Sequence, residues 1–212
     1  MKCLIFDLDK CIADPYSGPL GERGEIVTDV LEVLQNNEVS EEMRKVISKE
    51  IYRYGIDNII HWHNFQHFAD MIKAVYRPLI VPPGMVVYPD FEFVKELNIK
   101  KVLVTTGMQI HQQSKIDTLG LAPFFTETII NSPDNTLERR TKKNVLVRLM
   151  NKFNLLPHEV TVIGDRADDE LIAGKELGMV TVQTLRPGVV KAEGFDYYIE
   201  SFAELPQIIQ NL

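Results

Sequence analysis

Two aspartates near the N-terminus, Asp7 and Asp9, have the type and spacing needed for chemistry. They follow the apolar run Cys3–Phe6, which is typical of a short buried strand. Alternate side chains of an extended chain point the same way, so both carboxylates are expected on one side of the strand end. Two adjacent anions repel, and they become tolerable when a cation or a shared proton lies between them. The pair therefore indicates a cation site or, more simply, an acidic turn, in which aspartate is common.

A second acidic cluster follows another apolar run near the C-terminus. The run at 160–163 is typical of a buried strand and leads into Asp165 and Asp169. The carboxyl ends of parallel strands line one crevice, so Asp7, Asp9, Asp165 and Asp169 would converge there if both strands share a sheet. An all-oxygen set suits a hard divalent cation, and Mg2+ leaves room for a phosphate oxygen. Together the two clusters predict an Mg2+ site.

Four separated segments resemble the motifs of the haloacid dehalogenase-like superfamily of phosphohydrolases. Residues 6–9 resemble its first motif, DxDx[TV], and residues 164–169 resemble its fourth, GDxxxD. The run at 102–107 resembles the second motif, a strand ending in serine or threonine, and Lys142 resembles the lone lysine of the third. The segments occur in the family's order and span nearly the whole chain, so the joint match is specific although each piece is short.

The sequence departs from the family pattern at two positions. Cys11 stands where threonine or valine is usual, and Arg166 follows Asp165 where serine or threonine is frequent. Because cysteine is small enough to keep the turn, we expect activity to survive the first departure. The second is expected to alter contacts around the metal.

The resemblance implies a Mg2+-dependent phosphatase that hydrolyses a small phosphorylated metabolite through an aspartyl-phosphate intermediate. It makes Asp7 the nucleophile, and it makes Asp9 the acid that protonates the leaving alcohol and then deprotonates water. It further implies that Asp165 binds the metal directly, Asp169 binds through water or orients other ligands, and Asp9 contributes its backbone carbonyl.

By the same resemblance, the phosphate group is expected to be bound by a hydroxyl and a lysine. Thr105 is preferred over Thr106 because in the family a small polar residue and a glycine follow the hydroxyl residue. Lys142 is preferred over Lys143 because it leaves the apolar residues of the following helix on one face. Thr106 and Lys143 remain the competing candidates.

The order of the predicted elements places these motifs at strand ends. After about Met85, strands alternate with helices, which is typical of βαβ units and a parallel sheet. Strands are predicted at 101–105, 125–130, 160–163, 180–183 and 197–199, and helices at 89–97, 111–119, 143–153 and 168–177. With the resemblance, this pattern predicts an α/β protein whose three-layer Rossmann-like core has a mainly parallel sheet.

Residues 1–14 and 84–212 are assigned to this core domain, and residues 15–83 to a small all-helical cap domain. Apolar residues recur with helical spacing at 25–35 and 61–76, and Ser40 has the chemistry of a helix N-cap. The resemblance implies that this insertion closes over the site and selects the substrate.

Several polar residues invite other functional interpretations. His61, His63 and His67 include the helical spacing of a zinc pair, but no third ligand is evident, so lining of a pocket or simple packing are the alternatives. Lys115 and Lys175 are interpreted as solvated helix positions.

The composition is that of an ordinary globular protein of 212 residues, with 45% hydrophobic and 25% charged residues. The net charge of -7 argues against a general affinity for nucleic acid or anionic membranes. No stretch has the length of a membrane span or the pattern of a signal peptide. Because the two cysteines, Cys3 and Cys11, form no disulfide framework, a cytoplasmic location is expected. The sequence does not indicate an oligomeric state.

Two other functions stay open. A phosphosugar mutase uses the same residues, and a non-catalytic scaffold would use the cap to bind a protein. Against the scaffold, a binding module has no reason to keep two carboxylates at a desolvated strand end. A dehalogenase needs only the first aspartate, so Asp9, Asp165 and Asp169 argue for phosphoryl chemistry.

Overall fold

The computed structural model describes residues 1–15, 17, 20–51, 56–76, 80–81, 84–132 and 141–212, and only the backbone at 20–26 and 57. Its strands are β1 (Cys3–Phe6), β2 (Ala13–Asp14), β3 (Val86–Val87), β4 (Lys100–Thr106), β5 (Glu127–Asn131), β6 (Val160–Gly164), β7 (Val180–Thr184) and β8 (Tyr197–Ile199). Six of them form a parallel sheet in the order β5-β4-β1-β6-β7-β8. The predicted parallel sheet is thus confirmed, with strand ends within two residues of expectation.

The central strand β1 pairs with β4 on one side and with β6 on the other. Phe6, its last residue, lies opposite both Leu103 and Ile163. All four residues of β1 are buried, as expected for a strand covered on both faces. Since the three strands run parallel and in this register, the residues that come after them meet at one edge of the sheet.

Helices cover both faces of the sheet. The helices are α1 (Leu20–Asn36), α2 (Glu41–Glu50), α3 (Ile56–Trp62), α4 (Ala69–Tyr76), α5 (Phe91–Glu96), α6 (Gln109–Thr118), α7 (Lys142–Phe153), α8 (Ile172–Glu176) and α9 (Leu205–Gln210). Apolar residues of α5, α6 and α9 pack with Leu4 and Phe6 on one face, and those of α7 and α8 pack with Cys3 and Ile5 on the other. These two cores confirm the predicted three-layer α/β arrangement.

Helices α1 to α4 have a hydrophobic core of their own, which includes Val30, Leu34, Ile59 and Ile72. None of the described helices is both long and apolar enough to cross a bilayer. The division of the chain into two domains stays a prediction, and its expected boundary at residue 83 lies outside the described residues.

Two features of this helical segment bear on the sequence interpretation. Ser40 caps α2 as predicted, since its hydroxyl accepts a hydrogen bond of 3.2 Å from the Met43 N–H. The prediction of one helix over 61–76 is wrong, because α3 ends at Trp62 and α4 begins at Ala69. Asn64 lies between them with a φ of 57°, a left-handed conformation that interrupts a right-handed helix.

A short antiparallel pair joins the two chain segments that lead into and out of the helices. Strand β2 pairs with β3, with Ala13 opposite Val87 and Asp14 opposite Val86. The Tyr88 N–H extends the connection by donating to the Ile12 carbonyl over 2.9 Å. The two connections of the chain between the sheet and helices α1 to α4 are therefore held together beside the end of β1.

Arg186, which is 7% exposed, ties the C-terminal part of the chain to these connections. Its guanidinium donates to both carboxylate oxygens of Asp90 over 2.8 and 3.0 Å, and to the Cys11 carbonyl over 3.1 Å. It also lies over the rings of Tyr88 and Phe202. A planar fork of donors suits this combination of bidentate bonding and stacking, which an ammonium group cannot provide.

Replacing Arg186 by methionine is expected to lower the free energy of unfolding by about 3 kcal/mol, because a mostly buried Asp90 carboxylate loses its partner. Urea unfolding of the purified variant measures this change. The control is Lys152→Met, which breaks an exposed ion pair with Glu127 and should cost less than about 1 kcal/mol. Equal losses in the two variants would contradict the structural role of Arg186.

Candidate active site

Asp7 stands directly after β1, at the carboxyl edge of the sheet and between its two neighbouring strands. Its N–H donates to the Ile163 carbonyl over 2.9 Å, which continues the pairing of β1 with β6 by one residue. The side chain is 8% exposed, and its Oδ1 accepts a hydrogen bond of 2.7 Å from Lys142 Nζ. The sheet therefore holds this carboxylate rigidly at the position where parallel α/β sheets bind ligands.

Lys142 is the first residue of α7 and is 4% exposed. Thr141 caps the helix by accepting from the Asn144 N–H over 3.3 Å, which fixes where α7 begins. The ammonium lies 2.7 Å from Glu170 Oε2 and 3.6 Å from Asp169 Oδ2. Its competitor Lys143 is exposed and pairs with Glu176, so Lys142 is the one that lies at the strand ends.

Glu170 is a site residue that the sequence interpretation missed. It is 3% exposed and bridges Lys142 and the Arg166 N–H, to which its Oε1 is bonded over 2.8 Å. The π-helical turn Ala167–Leu171, rather than the predicted regular helix from 168, presents it inward. A Cβ atom on Gly164 would lie 2.2 Å from Glu170 Oε1, so a larger residue at the end of β6 would displace the Glu170 carboxylate.

Three carboxylates converge at this edge. Oxygens of Asp7, Asp165 and Glu170 lie within 4.8 Å of one another, and within the described ranges this is the one group of three or more acidic, histidine or cysteine side chains that does so. Three oxygen donors around one point fit the ligand preference of Mg2+. Asp169, expected as the second metal-binding acid of this segment, is outside that group and its role stays a prediction.

The charges at this edge are unbalanced. Burial raises the pKa of the Asp7 carboxyl well above its usual value, and Glu170 and Asp165 raise it further against the opposing effect of Lys142. Burial and then Glu170 raise the pKa of Asp165 to about 7. Although burial disfavours the charged form of Lys142, the surrounding carboxylates outweigh it and raise the lysine pKa. One ammonium among several acids leaves an excess of negative charge, which a divalent cation would neutralise.

Asp9, the second aspartate of the first motif, lies against a different lysine. Lys115 Nζ is 2.5 Å from Asp9 Oδ2, and Lys115 is 5% exposed. The interpretation of Lys115 as a solvated helix position is therefore wrong. Lys175 is exposed as expected and bonds the Gly194 carbonyl.

Thr105 and Thr106 lie together at the end of β4. The Thr105 hydroxyl is buried and donates to Gln112 Oε1 over 3.3 Å, while Gln112 Nε2 donates to the Thr106 carbonyl over 3.3 Å. The exposed Thr106 accepts from Asn131 Nδ2 over 3.4 Å. A Cβ on Gly107 would lie 2.6 Å from Gln112 Nε2, so this glycine lets the glutamine close over the strand end. The choice between the two hydroxyls stays a prediction.

The two departures from the family pattern have simple local contacts. The Cys11 thiol is buried and donates to the Ile163 carbonyl over 3.6 Å, so it joins the end of β1 to β6. Arg166 directs its guanidinium to the exposed Asp168, at 3.1 and 3.2 Å. Among the histidines considered for zinc, His63 lies 2.6 Å from Glu50, whereas His61 and His67 are exposed.

The excess negative charge predicts the pH dependence of stability in metal-free protein. Because the Asp165 pKa is raised to about 7, the folded state keeps a proton that the unfolded state has released, and stability falls as pH rises from about 4 to 7. Asp165→Asn removes this loss, so in EDTA it should stabilise the protein more at pH 8 than at pH 5. Urea unfolding at both pH values measures the difference, with the exposed Asp117→Asn as control. A pH-independent effect of Asp165→Asn would contradict the charge imbalance.

Known proteins resemble the chain over its whole length. It is 28% identical to the glyceraldehyde 3-phosphate phosphatase of Methanocaldococcus jannaschii, covering 100% of this chain and 98% of the relative. A HAD phosphatase from Thermococcus onnurineus superposes with a TM-score of 0.69 at 22% identity, covering 99% of this chain and 98% of that one. A predicted phosphatase from Clostridium acetobutylicum superposes with a TM-score of 0.71 at 20% identity, covering 100% and 99%. At these identities the two superpositions speak for the fold.

The family model described as haloacid dehalogenase-like hydrolase matches residues 1–178. That match includes every segment in which the sequence resembles the family's motifs, from Asp7 to Asp169. With the parallel sheet, the buried lysine and the convergent acids already described, it confirms the expected family. The chain belongs to the haloacid dehalogenase-like hydrolases.

Proposed function

We propose that this hydrolase is a Mg2+-dependent phosphatase that cleaves a small phosphorylated metabolite through a phosphorylated Asp7. It is a phosphoric monoester hydrolase, in line with relatives named as phosphatases that align with 100% and 88% of the chain. The observation that carries the proposal is the carboxylate of Asp7, buried at the end of the central strand between Lys142 and two further acids. That combination suits a nucleophile whose target is itself an anion.

Asp7 attacks phosphorus, and the bond from phosphorus to the leaving oxygen breaks as the new acyl-phosphate bond forms. Asp9 gives its proton to the leaving oxygen, and then takes a proton from the water that attacks the phosphorylated aspartate. Inorganic phosphate leaves and the Asp7 carboxylate is restored. Asp7 and Asp9 contact different lysines, Lys142 and Lys115, which suits this division of labour.

Lys142 holds Asp7 in place and supplies positive charge beside the incoming phosphate. Thr105, with Thr106 as the alternative, donates a hydroxyl to a phosphate oxygen at the end of the neighbouring strand. Asp7, Asp165 and the backbone carbonyl of Asp9, with either Glu170 or Asp169, would hold Mg2+ at this place. The bound ion would supply charge neutralisation and orientation. Glu170 and Lys142 position the acids around that place through their mutual 2.7 Å contact.

The first substrate to test is glyceraldehyde 3-phosphate. Two relatives that carry the name glyceraldehyde 3-phosphate phosphatase, at 28% and 26% identity, align with 100% and 88% of this chain. A panel of sugar phosphates, nucleotides, serine phosphate and phosphoglycolate provides the comparison. Turnover of the triose phosphate with the highest kcat/KM would support this substrate class.

The helical segment α1 to α4 is proposed to be the cap that closes over the site. Support comes from Met108, which follows the phosphate-binding threonines and is buried in the core of that segment. The β2–β3 pair, which joins both connections beside the end of β1, gives the segment a common base. A cytoplasmic setting is also proposed, supported by the free thiols of Cys3 and Cys11.

Asp7→Asn is expected to lower kcat by about 10³-fold or more, because an amide cannot form the acyl-phosphate. Turnover of glyceraldehyde 3-phosphate and p-nitrophenyl phosphate with Mg2+ measures the loss, and mass spectrometry of acid-quenched wild-type protein detects phosphate on Asp7. Asp117→Asn, an exposed carboxylate bonded to Gln113, is the control. Near wild-type turnover in Asp7→Asn would contradict the assignment of Asp7 as the nucleophile.

Asp169, the last acid of the fourth motif, and Glu170, the residue after it, can be distinguished by the effect of their substitution on the Mg2+ requirement. We expect the Mg2+ concentration for half activity to rise by roughly 10-fold or more in Glu170→Gln and by less than about 3-fold in Asp169→Asn. The reason is that a Glu170 oxygen lies within 4.8 Å of oxygens of Asp7 and Asp165, whereas the Asp169 side chain is outside that group and more exposed. Mg2+ titrations of phosphatase activity provide the measurement. The reverse order would restore Asp169 as the ligand expected from the sequence.

A further inference from the structure

Helix α6 presents two buried polar side chains to the strand ends, and both contact the motifs. Gln112 and Lys115 are three residues apart and therefore share one face of the helix. Gln112 bonds the Thr105 hydroxyl and the Thr106 carbonyl, while Lys115 reaches the Asp9 carboxylate. One helix thus contacts both the second motif and the acid of the first.

In the ion pair between Lys115 and Asp9, the lysine is the more deeply buried partner. The side chain of Lys115 is 7% exposed and that of Asp9 is 30% exposed. A lysine ammonium is costly to bury unless it is paired, so this contact holds the long lysine side chain in one conformation. Of the two side chains, that of Asp9 is the more exposed.

At the strand ends, each aspartate of the first motif therefore contacts its own lysine. Lys142 contacts Asp7, the proposed nucleophile, over 2.7 Å. Lys115 contacts Asp9, the proposed acid and base, over 2.5 Å. The first lysine belongs to the family's motifs, whereas the second comes from a helix that no motif includes.

We propose that Lys115 is a positioning residue that holds the Asp9 carboxylate where it can transfer a proton to and from the reacting oxygen. This role rests on the proposed function. An aspartate at the end of a strand has several accessible rotamers, and proton transfer needs its oxygen within hydrogen-bonding distance of the leaving group. Lys115 fixes one carboxylate oxygen and thereby orients the whole group.

The role predicts which step depends on Lys115. When Asp7 attacks, the bond to the leaving oxygen breaks and the Asp9 proton passes to that oxygen. When water attacks phospho-Asp7, its proton passes to Asp9 and the acyl-phosphate bond breaks. An alkoxide requires the first proton transfer, whereas p-nitrophenolate leaves without it. Both substrates require the second transfer, because both form the same phosphorylated enzyme.

The test uses Lys115→Met, which keeps a long unbranched side chain, one atom shorter, and removes its charge. We expect kcat/KM for glyceraldehyde 3-phosphate to fall by about 10-fold or more, and that for p-nitrophenyl phosphate by less than about 3-fold, since a positioned acid contributes ~10²–10⁴-fold. Rapid mixing with p-nitrophenyl phosphate should give a burst approaching one nitrophenolate per enzyme, since hydrolysis of phospho-Asp7 becomes slow.

A double-mutant comparison checks that the effect passes through Asp9. In an Asp9→Asn background, adding Lys115→Met should lower turnover of glyceraldehyde 3-phosphate no further. The control is Lys152→Met, which removes another lysine paired with a carboxylate, but at the amino end of β5. It should leave kcat/KM for both substrates and the nitrophenolate burst as in the wild-type protein. Circular dichroism verifies folding, and Lys115→Gln provides the same measurements if the methionine variant does not fold.

Each outcome decides the role of Lys115. Three results together would support the role. They are a loss of kcat/KM that is larger for glyceraldehyde 3-phosphate than for p-nitrophenyl phosphate, a burst of nitrophenolate, and no further loss of turnover when Lys115→Met is added to Asp9→Asn. Equal losses of kcat/KM with both substrates, or a further loss of turnover when Lys115→Met is added to Asp9→Asn, would overturn the positioning role. The contact would then be only a structural ion pair. Absence of Asp7-dependent turnover in the wild-type protein would instead overturn the proposed function, and this role with it.

Discussion

The ammonium of Lys142, buried among the carboxylates of Asp7 and Glu170, is the interaction on which the rest of the site depends. Three elements meet there, since Asp7 follows β1, Lys142 begins α7, and Glu170 lies in the π-helical turn after β6. Removing Lys142 would leave the buried carboxylates of Asp7 and Glu170 without their partner, which costs several kcal/mol. The elements at the carboxyl edge of the sheet are thus held together by a cluster of charged side chains that has an excess of negative charge. That residual charge makes the same place attractive to a divalent cation.

Helix α6 supplies a second, independent support for the same edge. It lies on the opposite face of the sheet from α7, so the two lysines approach the strand ends from opposite layers. The hydrophobic packing of Ile116 against the sheet fixes the helix, and its polar neighbours Gln112 and Lys115 then reach the motif residues. This is how a three-layer fold converts unspecific apolar burial into specific placement of polar atoms.

The parallel sheet, Asp7 and Lys142 could be predicted from the sequence, whereas Glu170 and Lys115 could not. Short apolar runs mark buried strands, and parallel strands bring the residues after them to one edge, so Asp7 needs little tertiary information. Glu170 stands in a run of three consecutive acids, and only the π-helical turn decides that it points inward. Lys115 has the ordinary surroundings of a surface lysine in sequence, and its partner is 106 residues away. The break at Asn64 was hidden because the apolar spacing on either side of it fits one helix.

Met108 has a consequence for how the molecule can move. It belongs to the strand-to-helix connection after Thr106, yet its side chain is almost completely enclosed by the helices inserted between β2 and β3. Any swing of those helices away from the sheet must either pull this methionine, and with it the start of α6, or expose it to water. In the proposed function, opening of the cap would therefore also shift the connection that follows Thr105 and Thr106, so the open form would lose the arrangement proposed to bind phosphate.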